Sequence, residues 1–188
     1  MRDKGGFLTG LKGVAIGDGF TAPTSTLNMM GEFAYNFGLL DFQERAKVEQ
    51  YILNSTYQEL NERWRDLHAS FYKVLNTITE TTGGVNVYDI TEYKPYPTDL
   101  LKEYFGSSAI QDMYGLNHDI VYDSQHHNVG EALYEDFMKN EVNLVQQLLL
   151  YSSIPILIYT GQNDLIVETP GTLRWVEDMH FKEADTFK

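Results

Sequence analysis

Asp164 closes a tight turn, Gly-Gln-Asn-Asp at residues 161–164, directly after the apolar run at residues 154–159. Catalytic and ligand-binding groups of open parallel sheets gather at the carboxyl ends of strands. An aspartate in that place can orient a histidine and stabilise the imidazolium that forms during nucleophilic catalysis. An aspartate in a turn can also do no more than accept bonds from backbone amides. The residues by themselves leave both roles open for Asp164.

A second turn of similar composition, Gly17-Asp18-Gly19, follows the apolar run at residues 11–16. It lacks the third glycine of the dinucleotide fingerprint and the Gly-Lys-Ser/Thr of the phosphate loop. We therefore interpret it as a structural turn rather than a phosphate site.

Histidines and aspartates are concentrated in one polar segment, residues 118–127. His118, Asp119, Asp123, His126 and His127 are residue types that bind metals, but their spacing matches no helical pair of histidines with a glutamate base. We interpret the segment as a solvated loop and expect neither a metal nor a cofactor. A metal-dependent hydrolase that uses His126 and His127 is the alternative, and it predicts stoichiometric metal uptake.

The sequence lacks a motif for a serine nucleophile but contains one for N-glycosylation. No serine sits in a Gly-x-Ser-x-Gly motif, the strained turn that exposes the nucleophile of many hydrolases. Asn54-Ser55-Thr56 is a sequon, which makes Asn54 a candidate for N-glycosylation.

Composition excludes several classes of protein. The 188 residues are 43% hydrophobic and carry a formal net charge of −13, which argues against nucleic-acid and anionic-membrane partners. No run approaches the roughly 20 apolar residues of a membrane span. Because the chain has no cysteine, a disulfide scaffold, a thiol nucleophile and a thiolate zinc site are excluded. Without other information, the lack of cysteine favours the cytosol.

The apolar patterns predict a strand, a long helical region, a second strand and a final helix. Both strands look like continuous apolar runs, which are typical of strands covered on both faces. Two strands do not make a stable sheet, so we expect further strands or a larger unit. A 3-and-4 spacing predicts the helices, at residues 28–36, 42–75 with a break at 54–56, 100–104, 108–114, 129–151 with 144, 145, 148 and 149 toward a core, and 172–179.

Several segments together resemble one family. Residues 11–23, LKGVAIGDGFTAP, resemble the strand and turn that follow the nucleophile helix of serine carboxypeptidases. Residues 156–167, ILIYTGQNDLIV, are similar to that family's catalytic-aspartate segment. Residues 37–41 and 135–139 are similar to further family landmarks, closest to the vitellogenic carboxypeptidase-like branch. The resemblance runs over nearly the whole chain in the right order.

The resemblance implies an α/β fold, a partial α/β-hydrolase with a central, mostly parallel sheet. Residues 1–188 would be the middle part of a single domain, and residues 24–152 a mostly helical insertion that roofs the active site. The implied reaction releases C-terminal residues from peptides through a serine acyl-enzyme. By resemblance Asp164 is the triad aspartate, and Val167 lines the pocket for the substrate's terminal side chain.

The resemblance also implies residues that this sequence does not supply. The family's serine, in Gly-Glu-Ser-Tyr-Ala-Gly, belongs upstream of residue 11, and its histidine, in a Gly-His-Met motif, belongs well after Asp164. His180 follows the last helix with no strand between, so we reject it as the triad base. We therefore expect an internal fragment that is inactive alone. The alternative is an inactive truncated isoform or degenerate copy that acts as a binding module.

The cellular setting follows from the family rather than from the residues. The resemblance implies a secreted, lysosomal or vacuolar glycoprotein whose signal peptide lies in missing N-terminal sequence, with a homodimer as an option for the full-length form. The expected partner is the C-terminus of a peptide. The lack of cysteine departs from the family, whose members usually carry disulfides around the helical insertion.

Overall fold

The two predicted strands form and pair with each other in parallel. The computed structural model describes residues 10–124 and 126–187. Within it β1 covers Val14–Gly17 and β2 covers Ile156–Tyr159, in a register that aligns Val14 with Ile156 and Gly17 with Tyr159. Because the strands are parallel, the two loops that follow them lie at the same edge of the sheet. The glycine-bounded apolar runs thus identified both strands.

Helices make up most of the remaining structure, and none that the described residues form is long and apolar enough to cross a membrane. In chain order they are α1 (Pro23–Asn36), α2 (Phe42–Ile52), α3 (Ser55–Leu60), α4 (Trp64–Thr81), α5 (Asp99–Gly106), α6 (Ser108–Tyr114), α7 (His127–Ala132), a 3-10 helix (Asp136–Met138), α8 (Val142–Tyr151), α9 (Thr169–Asp178) and α10 (Ala184–Phe187).

The predicted break exists but lies at residues 53–54, and a second break at residues 61–63 divides the segment into three helices rather than two. A capping box fixes the start of α2: the Asp41 side chain accepts from the Glu44 amide at 2.8 Å, and the Glu44 carboxylate accepts from the Asp41 amide at 2.7 Å. The longest helix, α4, buries a single stripe of Leu67, Phe71, Val74, Leu75 and Ile78. That stripe has the 3-and-4 spacing that predicted it.

The main hydrophobic core lies among α1, α2 and α4. Leu27 and Met30 of α1, Val48 of α2 and Leu67 and Phe71 of α4 are almost fully buried in one cluster. The core reaches the loop after β2 through Leu165, which is also fully buried. The helical region therefore supports the segment that carries Asp164.

The expectation that both faces of the strands are covered is wrong for the described residues. One face, with Ile16, Ile156 and Ile158, packs against a second cluster that includes Val145 of α8 and Trp175 of α9. The opposite face carries Leu157 and Tyr159, which are 59% and 55% exposed. A continuous apolar run predicts that both faces of a strand are covered, but it does not identify the elements that cover them.

The packing of α8 also differs from the expectation at one residue. Val145 is buried and Leu148 and Leu149 are partly buried, as predicted, but Leu144 is 57% exposed. Because one turn of helix takes 3.6 residues, the face centred on Val145 contains Leu149 and leaves the side chain of Leu144 outside it.

Candidate functional site

Asp164 lies in the loop after β2 and is held there by its own backbone. Its amide donates to the Gly161 carbonyl at 3.2 Å and closes the predicted turn. Its Oδ1 atom accepts from the amides of Ile166 at 2.7 Å and Val167 at 3.1 Å. The side chain is 8% exposed. The carboxylate thus sits at the carboxyl end of a parallel strand with one oxygen fixed by two backbone donors.

The surroundings of Asp164 shift the pKa of its carboxyl in opposite directions. Burial raises the pKa of its carboxyl, and the charge of Asp18 acts in the same direction. The amides of Val167 and Ile166 lower the pKa by stabilising the charged form, but burial is the stronger influence. Because few water molecules can reach Asp164, a cation placed against it would interact with a poorly hydrated carboxylate.

Asp18 occupies the corresponding position in the loop after β1. Its backbone has a positive φ of 46°, a conformation that aspartate tolerates better than most residues. Its amide donates to the Tyr159 carbonyl at 2.9 Å, and its Oδ1 accepts from the Gly161 amide at 2.6 Å. Asp18 thereby joins the two loops at the edge of the sheet, which agrees with its interpretation as a structural turn.

Glu168 is a buried acid that the sequence interpretation missed. It precedes α9, and its Oε1 accepts from the Gly171 amide at 3.0 Å as an N-terminal cap. The side chain is fully buried, and Oε2 has no hydrogen-bond partner within residues 10–124 and 126–187. Burial raises the pKa of Glu168 well above its usual value. An acid followed by Thr169-Pro170 is a start signal that could have identified the cap.

A cavity of about 830 Å³ opens beside Asp164. The loops at the sheet edge supply Asp18, Phe20, Asp164, Ile166 and Val167 to its lining. The rest of the lining comes from α4, from residues 87–88 and from the segment after residue 123. Those lining residues are His68, Phe71, Tyr72, Leu75, Asn76, Thr79, Val87, Tyr88, Ser124, His126, His127, Val129, Gly130, Glu131, Tyr134 and Phe137. The helical region therefore walls the space that Asp164 faces, and the lining is largely apolar.

Of the other two predicted site residues, one lines this cavity and the other lies away from it. Val167 lines the cavity with Asp164 and is buried. Asn54 lies elsewhere, exposed on the surface at the residue that precedes α3. The next residue of the sequon, Ser55, is buried and donates to the Asn28 side chain at 2.8 Å, and Thr56 is exposed.

The histidines do not form a metal centre within the described ranges 10–124 and 126–187, where no three side chains of metal-binding type are grouped to hold an ion. His118 pairs with Asp112 at 2.9 Å on the surface. His126 and His127 reach the rim of the cavity. His180 is exposed beyond α9, and its amide donates to the Gln146 side chain.

The chain is similar to known proteins along nearly its whole length. A sequence model of the serine carboxypeptidase family matches residues 3–188. The retinoid-inducible serine carboxypeptidase of Homo sapiens is 28% identical over 93% of this chain and 44% of its own length. Serine carboxypeptidase 3 of Hordeum vulgare is 28% identical over 94% of this chain and 36% of its own length. The chain thus spans less than half the length of these two relatives.

A solved structure extends the likeness to the fold. The crystal structure of Kex1(delta)p, a prohormone-processing carboxypeptidase from Saccharomyces cerevisiae, superposes with a TM-score of 0.75 over 96% of this chain and 43% of that one, at 21% identity. The helices and the small parallel sheet described above therefore have the fold of part of that carboxypeptidase, consistent with a partial α/β-hydrolase fold. Since the family match covers almost every residue, the chain belongs to the serine carboxypeptidase family.

Proposed function

We propose that this chain carries the triad aspartate and part of the substrate pocket of a serine-type carboxypeptidase that releases C-terminal residues from peptides. The observation that supports it most is the setting of Asp164, buried at the end of a parallel strand and lining a cavity of about 830 Å³. Family membership supports the reaction class, and this geometry supports Asp164 in the proposed role.

Asp164 is arranged as an orienting group needs to be. Both hydrogen bonds that it accepts within the described residues go to Oδ1, which leaves Oδ2 for the Nδ1–H of a histidine. A histidine held in this way presents Nε2 to a serine hydroxyl, removes its proton and returns that proton to the leaving amine. The imidazolium that forms would find its compensating charge in Asp164.

The serine and the histidine of this triad would come from outside the 188 residues. The sequence contains no Gly-x-Ser-x-Gly motif, and none of its histidines bonds to Asp164 within the described residues. The 188-residue chain by itself would then be inactive. The helical segment at residues 24–152 would roof the assembled site, and Val167 would line the pocket for the substrate's terminal side chain.

A secreted, lysosomal or vacuolar location belongs to the same proposal. The exposed position of Asn54 leaves it accessible to a glycosyltransferase, which supports glycosylation there. A homodimer of the full-length form and the vitellogenic carboxypeptidase-like branch stay predictions from the resemblance.

The experiment compares this chain with the full-length protein encoded by its transcript. Both are incubated with blocked dipeptides, with and without an organophosphate that phosphorylates active serines. We expect the full-length protein to release the C-terminal amino acid and to lose this activity after treatment, and the 188-residue chain to release none. A transcript that encodes no serine motif, together with a full-length product that cleaves nothing, would favour the inactive copy.

A further inference from the structure

His68 is wedged into an aromatic wall of the cavity that Asp164 lines. The term aromatic wall refers to the rings of Phe20, Phe71, Tyr72, Tyr134 and Phe137, which line this cavity. The centroid of the imidazole lies 3.7 Å from that of Tyr134 and 4.6 Å from that of Tyr72. At these distances the rings are in direct contact, with the imidazole plane tilted by 36° to the ring of Tyr72 and by 35° to that of Tyr134.

The rings of the aromatic wall also contact each other. Phe20 lies 5.1 Å from Phe71 and 5.0 Å from Phe137, measured between ring centroids. Neither ring nitrogen of His68 has a hydrogen-bond partner within residues 10–124 and 126–187. The imidazole therefore adds a titratable group to an apolar wall.

Charged groups around His68 act on it from two elements. Glu131 of α7 favours the protonated imidazole, whereas burial favours the neutral one and is the stronger of the two, so the pKa of His68 is lowered. On α4 itself, Arg65 lies over the Tyr134 ring at 5.4 Å and is paired with Glu135 at 2.7 Å. Its charge is thus already compensated.

We propose that His68 is a specificity-determining residue of the cavity: neutral, it extends the aromatic wall that holds an apolar side chain, and protonated, it excludes the side chains of lysine and arginine. This inference rests on the proposed function, because it concerns the substrate side chain that enters the same cavity. It makes the choice between apolar and basic side chains depend on pH.

The physical reason is that charge and stacking act on the same group. A neutral imidazole packs against an apolar substrate side chain as it packs against Tyr134. It does not repel a lysine, which then loses only part of the hydration of its charge. A protonated imidazole places a positive charge in a largely apolar wall, where repulsion of a second cation is stronger than in bulk water. Discrimination against a basic residue should then change on the order of tenfold across the titration.

The test uses the full-length enzyme and pairs of blocked dipeptides that differ only by lysine or norleucine. One series varies the C-terminal residue and another the residue before it. The ratio of kcat/KM for lysine to that for norleucine is measured from pH 5 to pH 8, a range in which lysine keeps its charge. The pH dependence of the triad acts on both substrates and cancels in the ratio.

We expect the ratio to rise with pH in one of the two series of the native enzyme, by about tenfold, and to be independent of pH in H68F and H68Q. H68F keeps an aromatic ring in the wall, and H68Q keeps a polar group that does not titrate. In E131Q the rise should move to lower pH, because Glu131 raises the pKa of His68. H118F makes the same change at a surface histidine and should keep the native profile.

Two results would overturn the inference while leaving the proposed function intact. One is an active enzyme whose ratio is independent of pH in both series. The other is a rise that survives in H68F and H68Q and disappears when His126 and His127 at the rim are replaced by glutamine. If neither norleucine dipeptide is cleaved and no serine reacts with the organophosphate, it is the proposed function that fails.

Discussion

Two aspartates follow the two parallel strands, and their surroundings differ in almost every respect. Asp164 is buried and accepts two backbone amides from its own loop. Asp18 is exposed, has a positive φ and accepts one amide from the other loop. The same residue type at the same edge of the sheet is therefore a buried hydrogen-bond acceptor within its own loop in one case. In the other it is an exposed residue that bonds to the neighbouring loop.

The difference shows that position at the sheet edge does not by itself distinguish the two carboxylates. Both residues line the cavity and both end a strand. Only Asp164 combines burial with a fixed oxygen, and these are the properties that let a carboxylate hold a histidine in one orientation. The following predictions test this contrast, from the largest expected effect to the smallest.

The largest contrast is expected in catalysis by the full-length enzyme. Asp164→Asn keeps an oxygen for the amides of Ile166 and Val167 but removes the charge that orients the histidine, so kcat should fall about 10⁴-fold. Asp18→Asn is the matched control and should leave kcat within about threefold of the native value, since its bond to Gly161 is retained. Steady-state kinetics on a blocked dipeptide measure both. Equal losses in the two variants would remove the distinction between the aspartates.

A second contrast concerns a glycine beside each loop. A Cβ on Gly171 would lie 2.7 Å from the Thr26 Cα, so Gly171→Ala must push α9 away from α1. We expect a loss of about 3 kcal/mol in the free energy of unfolding. A Cβ on Gly17 would meet the ring of Tyr159, whose side chain is half exposed and can swing aside.

Gly17→Ala should therefore cost less than about 1 kcal/mol. Urea unfolding followed by fluorescence compares the two variants, because Trp175 lies buried in α9. A larger loss at Gly17 than at Gly171 would contradict this account of the two loops.

The third contrast measures the hydrogen bonds of the aspartates themselves. Asp164→Ala leaves the amides of Ile166 and Val167 without their acceptor in a largely buried place, which should cost about 2 kcal/mol of stability. Asp18→Gly keeps the positive φ and removes one exposed bond, so we expect a loss below about 1 kcal/mol. The same urea titration detects the difference, and Asp164→Asn should lie near the native protein.

The smallest effect is a change in pH dependence at Glu168. Because its pKa is raised in the folded protein, the stability that it contributes is fully present below the unfolded pKa and is lost as pH rises through the raised value. Glu168→Gln keeps an acceptor for the Gly171 amide and removes this loss. The free energy of unfolding, measured from pH 4 to pH 8, should fall less steeply in the variant. A variant with the native slope would show that Glu168 does not titrate in this range.

Local patterns predicted the strands, a break near residue 54 and the turn at Asp164, because each depends on neighbours in sequence. The apolar stripe of α4 was equally visible from its spacing. The exposed face with Leu157 and the outward position of Leu144 were not, since both depend on what packs against them.

The cavity could not be predicted from local sequence patterns. It brings His68, Tyr134 and Asp164 to one space although they lie far apart in the chain. No periodicity links such residues, and the roles predicted for Asp164 and Val167 come from the resemblance to a family. The bond of Asp18 to Gly161 was likewise hidden, because it depends on the parallel pairing of distant strands.

The parallel pairing also constrains the order in which the chain can fold. The bond between Asp18 and Gly161 joins residues 143 positions apart, whereas α1, α2 and α4 contact one another over much shorter separations. Because distant contacts close large loops before they add stability, we expect the helices to assemble first and the sheet edge last. The loop that holds Asp164 would then be completed late, and substitutions there should speed unfolding more than they slow folding.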